Sequence, residues 1–306
     1  MYNNAPKSET VKIVADNFLT GIIKVERIPK GSSTYVYRIN TNKDSYYMRF
    51  LPEKASFATE VYAHNALLAA GVRVPQILSF EHKDELTGLS VMLMKELPGT
   101  SLEDNWPSHN LKEIMQEAGR QLATIHSIPV EGFGWVDKTS YDILKGEKQS
   151  FDEYFSEYLA SDLHALGQYS FSNEKRIIIY DLMSKARQIL NVKSAVLVHG
   201  DFDISHIFHS QGSYSGILDF GEIRGNNRLY DLATFVGFYQ DRTVYSYLVE
   251  GYREIACLSD EDLYATELFA LFIILRFLGK KVDTVSRDHW YRLANKQLDY
   301  ICTELE

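Results

Sequence analysis

Cysteine is scarce in this 306-residue chain: Cys257 and Cys302 are the two present, far apart and near the C-terminal end. So small a number excludes a disulfide framework and predicts a reduced compartment with two ordinary buried thiols. Long apolar runs are missing as well. The most apolar stretch, Leu268 to Leu278, is too short to cross a bilayer and is flanked by charge. The opening segment MYNNAPKSETVKIV lacks the apolar core of a secretory signal. These absences predict a soluble, cytoplasmic protein with no membrane partner. Nor is there a surplus of basic residues: 32 Lys and Arg stand against 41 Asp and Glu, for a net charge of −9. Nucleic acid is thereby a poor partner, because phosphate binding needs a basic face, whereas a cationic substrate is compatible. No GxSxG elbow offers a serine nucleophile. The chain has no internal repeat and no low-complexity linker.

What is present suits a large packed core. Apolar residues make up 45% of the chain, with 16 Phe and 20 Tyr, enough for one big domain or two smaller ones. The first part reads as a helix over Ser8 to Phe18, then strands over Ile22 to Ile28, Thr34 to Ile39 and Tyr46 to Phe50. A helix over Ala55 to Ala70 follows, with Ser56 as N-cap, Gly71 as stop and a stripe of Phe57, Val61 and Leu68. That stripe places Glu60 off the centre of the buried face. Strands over Ile77 to Phe80 and Ser90 to Met94 end in Lys95-Glu96-Leu97-Pro98-Gly99, where the chain divides. Beyond it, helices are predicted over Leu111 to Ser127, Ser150 to Leu166, Asn173 to Leu190, Asp231 to Tyr239, Thr243 to Cys257, Asp260 to Leu278 and Asp288 to Leu305. Gly132-Phe133-Gly134-Trp135 reads as a turn.

The exception to this helical second part is Ala195 to Asp231. There one apolar run leads to His199-Gly200-Asp201 and another to Asp219-Phe220-Gly221. The spacing predicts two adjacent strands joined by a hairpin, with both carboxylates at one end of a small sheet. Such a pair suits a hard cation and proton abstraction from a hydroxyl. His206 offers an imidazole nitrogen to the same metal. A zinc hydrolase built on His199, Asp201 and His206 is a rival reading, but the chain supplies no further ligand cluster. In the first part, Gly31-Ser32-Ser33 is a hairpin turn whose N–H groups can lie over phosphates. It is neither a GxGxxG nor a GxxxxGK loop. Arg49 can contact phosphate with its planar fork, held by Glu60.

Taken in order, HGDFDISHIF, GILDFGEI and RLYDLA, preceded by GSSTYVYRI, YYMRF, GVRVPQIL, VMLMKELPGTSL and AGRQLATIHSI, resemble the aminoglycoside phosphotransferase family. These are small-molecule kinases that share the protein-kinase fold. The resemblance covers roughly residues 10 to 240. It implies an α+β, two-lobed fold: an N-terminal antiparallel sheet with one helix over residues 1–97 binds nucleotide, and a larger, mostly helical lobe over 98–306 carries catalysis and acceptor. It implies a phosphotransferase that moves the γ-phosphoryl group of ATP or GTP, with Mg²⁺, to a hydroxyl of a small molecule, an aminoglycoside antibiotic among the candidates. Macrolides, choline-like alcohols and sugars share the signature, and a non-catalytic nucleotide-binding pseudokinase is the alternative from another class. By the resemblance, Asp201 handles the acceptor hydroxyl, Asp219 and His206 hold the metal, Gly31, Ser32, Ser33, Arg49 and Glu60 serve the phosphates, and the backbone of Lys95, Glu96 and Leu97 holds the base. Asp231 braces the loop around Asp201. Three departures stand out: His206 replaces Asn, Arg49 replaces Lys, and GNNRLYD replaces GDPxYD. The acidic residues Asp152, Glu153, Glu157, Asp162, Glu261, Asp262 and Glu267 suggest a surface for a polyamine.

Overall fold

The computed structural model describes residues 5–29, 34–52, 55–107, 109–138, 140–280 and 284–305. It opens with α1 (Ser8–Ala15), β1 (Ile22–Ile28), β2 (Tyr35–Thr41), β3 (Ser45–Leu51), α2 (Ala58–Ala69), β4 (Ile77–Glu81) and β5 (Ser90–Lys95). The strands form one antiparallel sheet in the order β1-β2-β3-β5-β4. Alternation explains the layering. Tyr35, Tyr37 and Ile39 of β2 point to one face, where Met48, Phe50, Val91 and Leu93 meet Val11, Val14 and Ala15 of α1. Each large apolar side chain buried there contributes about 1.5–3 kcal/mol. Leu51, Met92 and Met94 line the opposite face with Phe57.

Helix α2 begins where the Ser56 hydroxyl accepts the Ala58 N–H at 3.1 Å, and it ends at Gly71, whose φ of +83° suits glycine. Its buried face differs from the predicted stripe. Ala58, Thr59, Glu60, Ala63, His64 and Leu67 are buried, whereas Val61 is half-buried and Leu68 exposed. The reason is a partner from outside the helix. Arg49 of β3 reaches Glu60 and makes burial of a carboxylate tolerable.

The second part runs through β6 (Thr100–Ser101), α3 (Leu111–Ile125), β7 (Pro129–Val130), β8 (Phe133–Val136), β9 (Gly146–Lys148), α4 (Phe151–Ser156), α5 (Leu159–Ala165) and α6 (Asn173–Ile189). It continues with β10 (Ala195–Val198), β11 (Ile207–Ser210), β12 (Ser213–Ile217), β13 (Arg224–Asn226), α7 (Tyr230–Tyr239), α8 (Arg242–Ile255), α9 (Asp260–Gly279) and α10 (Thr284–Glu304). Two predictions change here. The segment read as a turn at Gly132–Trp135 supplies β8, which pairs with β13 and β9. The single helix expected over 150–166 is broken into α4 and α5, so that Phe155 stacks on Phe272 of α9 at 4.1 Å while Asp162 meets Arg276.

Helix α9 is the centre of this part. Leu268 to Leu275 are all buried, between α7, α5, α6 and α10. The most apolar stretch of the sequence is therefore a core helix, and among the described residues no helix is long and apolar enough to cross a membrane. Cys257 corrects another expectation. It is exposed in the short link between α8 and α9, where Leu258 takes the buried position, and Cys302 is half-buried.

Candidate active site

Strand β10 delivers His199-Gly200-Asp201, as predicted, but its neighbours are not the expected ones. It pairs with β7 and β13, while the hairpin consists of β11 and β12 in a separate sheet with β6. Asp219 reaches the 199–206 loop by another route. The N–H of Leu218 donates to the His206 carbonyl at 3.0 Å, and Nε2 of His199 donates to the Leu218 carbonyl at 2.7 Å. Leu218 is thus stitched to that loop through both of its backbone groups.

The loop is held from beneath by Asp231, fully buried at the start of α7. Its carboxylate accepts the N–H of His199 at 2.7 Å, the N–H of Gly200 at 2.9 Å and Nε2–H of His126 at 3.0 Å. Burial pushes this carboxyl up. The His126 hydrogen bond, His199 and the Gly200 N–H outweigh burial and hold it below the ordinary carboxylate range. His126 was missed by the sequence reading, because a lone histidine at a helix end has no local signal. Gly200 was noted only within its motif. Its φ is +87°, and a Cβ there would lie 1.9 Å from the Glu222 carbonyl and 3.3 Å from Nε of Arg224. Only glycine fits. Asp201 itself is half-buried, and among the described residues no donor lies within hydrogen-bond distance of its carboxylate.

His206 is oriented by the same loop. Its Nδ1 donates to the Asp201 carbonyl at 2.7 Å, which leaves Nε2 with its lone pair, 4.0 Å from the Asp219 carboxylate. Asp219 has φ +66°, a left-handed conformation tolerated by aspartate, and leads into a 3-10 turn over Phe220–Glu222. On its other side Nη2 of Arg49 stands 3.6 Å away. Burial pushes the Asp219 carboxyl up, but Arg49, His206 and His199 win and hold it below its ordinary value. Two acceptors facing one gap, a carboxylate oxygen and an imidazole nitrogen, make a fitting pair for a divalent cation.

Arg49 lies between Glu60 and Asp219, so β3 and α2 both contribute to the gap. Burial lowers the Arg49 guanidinium pKa, but Glu60 and Asp219 more than restore it, and it stays charged. Burial raises the Glu60 carboxyl, and Arg49 opposes that shift without cancelling it. His64 packs edge-on against Phe220 at 5.3 Å and is neutral: burial and the nearby Arg49 bring it to about 4. The helix carrying Glu60 thereby rests on the turn that follows Asp219.

The remaining predicted residues separate into three groups. Gly31, Ser32 and Ser33 lie outside the described residues. At the division of the chain, the N–H groups of Lys95 and Glu96 donate to the carbonyls of Gln76 and Ser45 at 2.9 and 3.2 Å. The Glu96 carboxylate accepts from Arg38 at 2.9 Å, and Leu97 packs against Gly216 of β12. The acidic residues thought to face a polyamine are mostly taken. Asp152 is held by both arms of the Arg187 fork at 2.6 and 2.8 Å. Glu157 pairs with Lys148 at 2.7 Å, Asp162 with Arg276 at 2.7 Å and Asp262 with Arg228 at 2.9 Å. Glu267 pairs with Arg242.

The zinc reading finds no footing. Both nitrogens of His199 are engaged by backbone, Nε2 by Leu218 and Nδ1 by the Asp201 N–H at 3.3 Å. Among the described residues no group of three or more His, Cys, Asp or Glu is arranged to hold a metal.

Comparison with known proteins bears on the fold and the family. A GDP complex of a mutant aminoglycoside 2'-phosphotransferase, type IIIa, superposes with a TM-score of 0.70 at 16% identity, over 98% of this chain and 100% of that one. A thermostable mutant of aminoglycoside phosphotransferase APH(4)-Ia, solved with ADP and hygromycin B, gives 0.68 at 16% identity, over 95% and 96%. A candidate fructosamine-3-kinase from Thermobifida fusca gives 0.65 at 16% identity, over 96% and 100%. A search of curated proteins finds no match. The pattern of the phosphotransferase enzyme family, APH, matches residues 24–264. With its two-lobed kinase-like fold and a match over most of its length, the chain belongs to this phosphotransferase family.

Proposed function

We propose that this protein moves the γ-phosphoryl group of ATP or GTP to a hydroxyl of a small molecule. Residues 1–97 act as the nucleotide lobe and 98–306 as the catalytic and acceptor lobe. The observation that carries the reading is a linkage of three groups: the His206 ring ties the loop that bears the unencumbered Asp201 carboxylate to Asp219, and Asp219 in turn faces the buried Arg49.

Each group has a task that follows from its setting. Asp201 accepts the hydrogen bond of the acceptor hydroxyl, orients it toward the γ-phosphorus and takes its proton as the new P–O bond forms and the bond from the γ-phosphorus to the β–γ bridging oxygen breaks, the nucleoside diphosphate leaving. Asp219 and Nε2 of His206 hold Mg²⁺. The ion supplies charge neutralisation on the nucleotide phosphates. Arg49, kept cationic by Glu60, meets phosphate oxygens from above with a fork pre-set by its ion pair. Gly31, Ser32 and Ser33 cover the phosphates through backbone N–H groups. Because the N–H groups of Lys95 and Glu96 are used within the sheet, the base is read by carbonyls of this segment and by the Leu97 N–H. Aminoglycosides are the acceptors named for two of the structural neighbours, and the same chemistry serves any exposed hydroxyl.

The test is Asp201→Ala. Nucleotide binding, read by calorimetry, stays within about twofold, and transfer to an acceptor falls by about 10²–10⁴-fold, the range of a lost general base. Binding of nucleotide with no turnover by the wild type across a broad acceptor panel would instead establish a pseudokinase.

A further inference from the structure

Helix α2 lies in the nucleotide part of the sequence but packs on the other part. Ala63 and Leu67 of its buried face belong to the large core that holds Ile114, Leu122 and Ile217. Apolar packing of that kind is non-directional. It seats the helix without fixing how far it slides or turns. One buried hydroxyl in the first turn supplies the direction.

Thr59 is the second residue of α2 and is 2% exposed. A threonine deeper in a helix can return its hydroxyl to the carbonyl four residues back. Thr59 instead donates away from the helix, to the Asp137 carbonyl at 3.0 Å, with the Ser140 carbonyl as a second acceptor. A single proton shared by two carbonyls thus ties α2 to the connection between β8 and β9. That connection is itself fastened. The Asp137 N–H donates to the Lys145 carbonyl at 2.8 Å, and the Val136 N–H donates to the Ile223 carbonyl at 3.3 Å. Ile223 directly follows the turn after Asp219. Tyr141, in the same connection, lies 4.7 Å from the ring of His82, whose Nδ1 meets the Ser56 hydroxyl at 2.8 Å. Thr59, Glu60, Arg49, Val136 and Gly221 all line one recess. The path closes on itself: from Asp219 through Ile223, Val136 and Thr59 to Glu60, then through Arg49 back to Asp219.

We infer that Thr59 is a positioning residue: its hydroxyl latches α2 to the carbonyls of Asp137 and Ser140, and so holds Glu60 where it aims the Arg49 fork at the nucleotide phosphates. This rests on the kinase reading above and deepens it. Valine at this position has nearly the same shape, but it would set a methyl against two carbonyls that have lost their donor. The first turn of α2 then shifts, and Glu60 shifts with it.

The test removes the hydroxyl in Thr59→Val and keeps it in Thr59→Ser. Calorimetry with Mg²⁺ gives the Kd of AMP-PNP and GMP-PNP, and competition gives that of adenosine and guanosine. Thr59→Val weakens the triphosphate analogue that the wild type binds by about threefold to tenfold, the worth of one hydrogen bond. Its nucleoside binds as before, and Thr59→Ser recovers the loss. A residue that served the fold alone would lower the melting temperature and leave the triphosphate-to-nucleoside ratio unmoved. In a Glu60→Gln background, Thr59→Val changes the ratio no further, because the latch works through Glu60. Tyr141→Ala, an exposed change that leaves the core intact, moves the ratio in the same direction and decides the question if Thr59→Val does not fold. An unchanged ratio in the folded variant, or an additive loss in the Glu60→Gln background, overturns the inference. A wild-type protein that binds neither triphosphate analogue overturns the kinase reading, and the latch with it.

Discussion

Nε2 of His206 faces the Asp219 carboxylate across 4.0 Å because Nδ1 of the same ring is anchored to the Asp201 carbonyl. One imidazole therefore links the loop that presents Asp201 to the carboxylate on the opposite side of the gap. With its tautomer set by a backbone carbonyl, the ring is oriented before any cation arrives.

Removing that ring should show in metal dependence before anything else. His206→Ala raises the Mg²⁺ concentration needed for half-maximal nucleotide binding by about tenfold or more, or about 1.4 kcal/mol. His206→Asn, which offers an amide oxygen, recovers most of the loss. Calorimetric titration of nucleotide at stepped Mg²⁺ reads the effect. Identical Mg²⁺ curves for all three proteins would remove His206 from the metal site.

Arg49 ought to matter for stability as well as for phosphate. Arg49→Ala strands the buried Glu60, and breaking a buried pair from one side costs about 3–5 kcal/mol. Replacing both partners with apolar residues of similar size costs less than the sum of the two single losses. Urea unfolding of the two single variants and the double variant measures the coupling. Additive losses would show that the pair is not an energetic unit.

Asp231 gives the fold an acid-sensitive component whose sign is definite. Its folded pKa is depressed, so its stabilisation is complete above the unfolded carboxyl value, about 3.9. That stabilisation is lost as pH falls through the lower folded value. Asp231→Asn leaves donors unpaired and is less stable at neutral pH by about 1–3 kcal/mol. The gap between the two proteins narrows as pH drops below about 4. Urea midpoints from pH 7 to pH 3 test this. A gap that stays constant, or widens in acid, would contradict the hydrogen-bonded carboxylate described here.

Much of the frame was legible because its signals are local. Strand β1 runs from Ile22 to Ile28 as the sequence indicates, and the ordered motifs from Arg49 to Asp231 pointed to a kinase-like fold. The failures involve distant partners. The pairing of Glu60 with Arg49 follows from the ordered motifs and is present, but helical periodicity alone put Glu60 off the buried face of α2, because it says nothing of an arginine on β3. Asp162 and Asp152 looked available because Arg276 and Arg187 lie 114 and 35 residues away in the chain. The strand after Ala195 was expected to pair with the one before Asp219. Both strands exist, but each has other neighbours, and hydrogen bonds to the two backbone groups of Leu218 tie the 199–206 loop to the segment that ends in Asp219 instead.

The contact between Gly200 and the Glu222 carbonyl has a consequence for how such a protein can change. The segment ahead of Asp201 and the turn after Asp219 touch backbone to backbone, so neither can be reshaped without carrying the other. The chemistry is a single casting. Variation in what the protein accepts must come from parts that do not share this contact, such as the broken helix pair α4 and α5 or the end of α9. Laboratory selection for a new acceptor should accumulate substitutions there and leave residues 199–201 and 219–222 untouched.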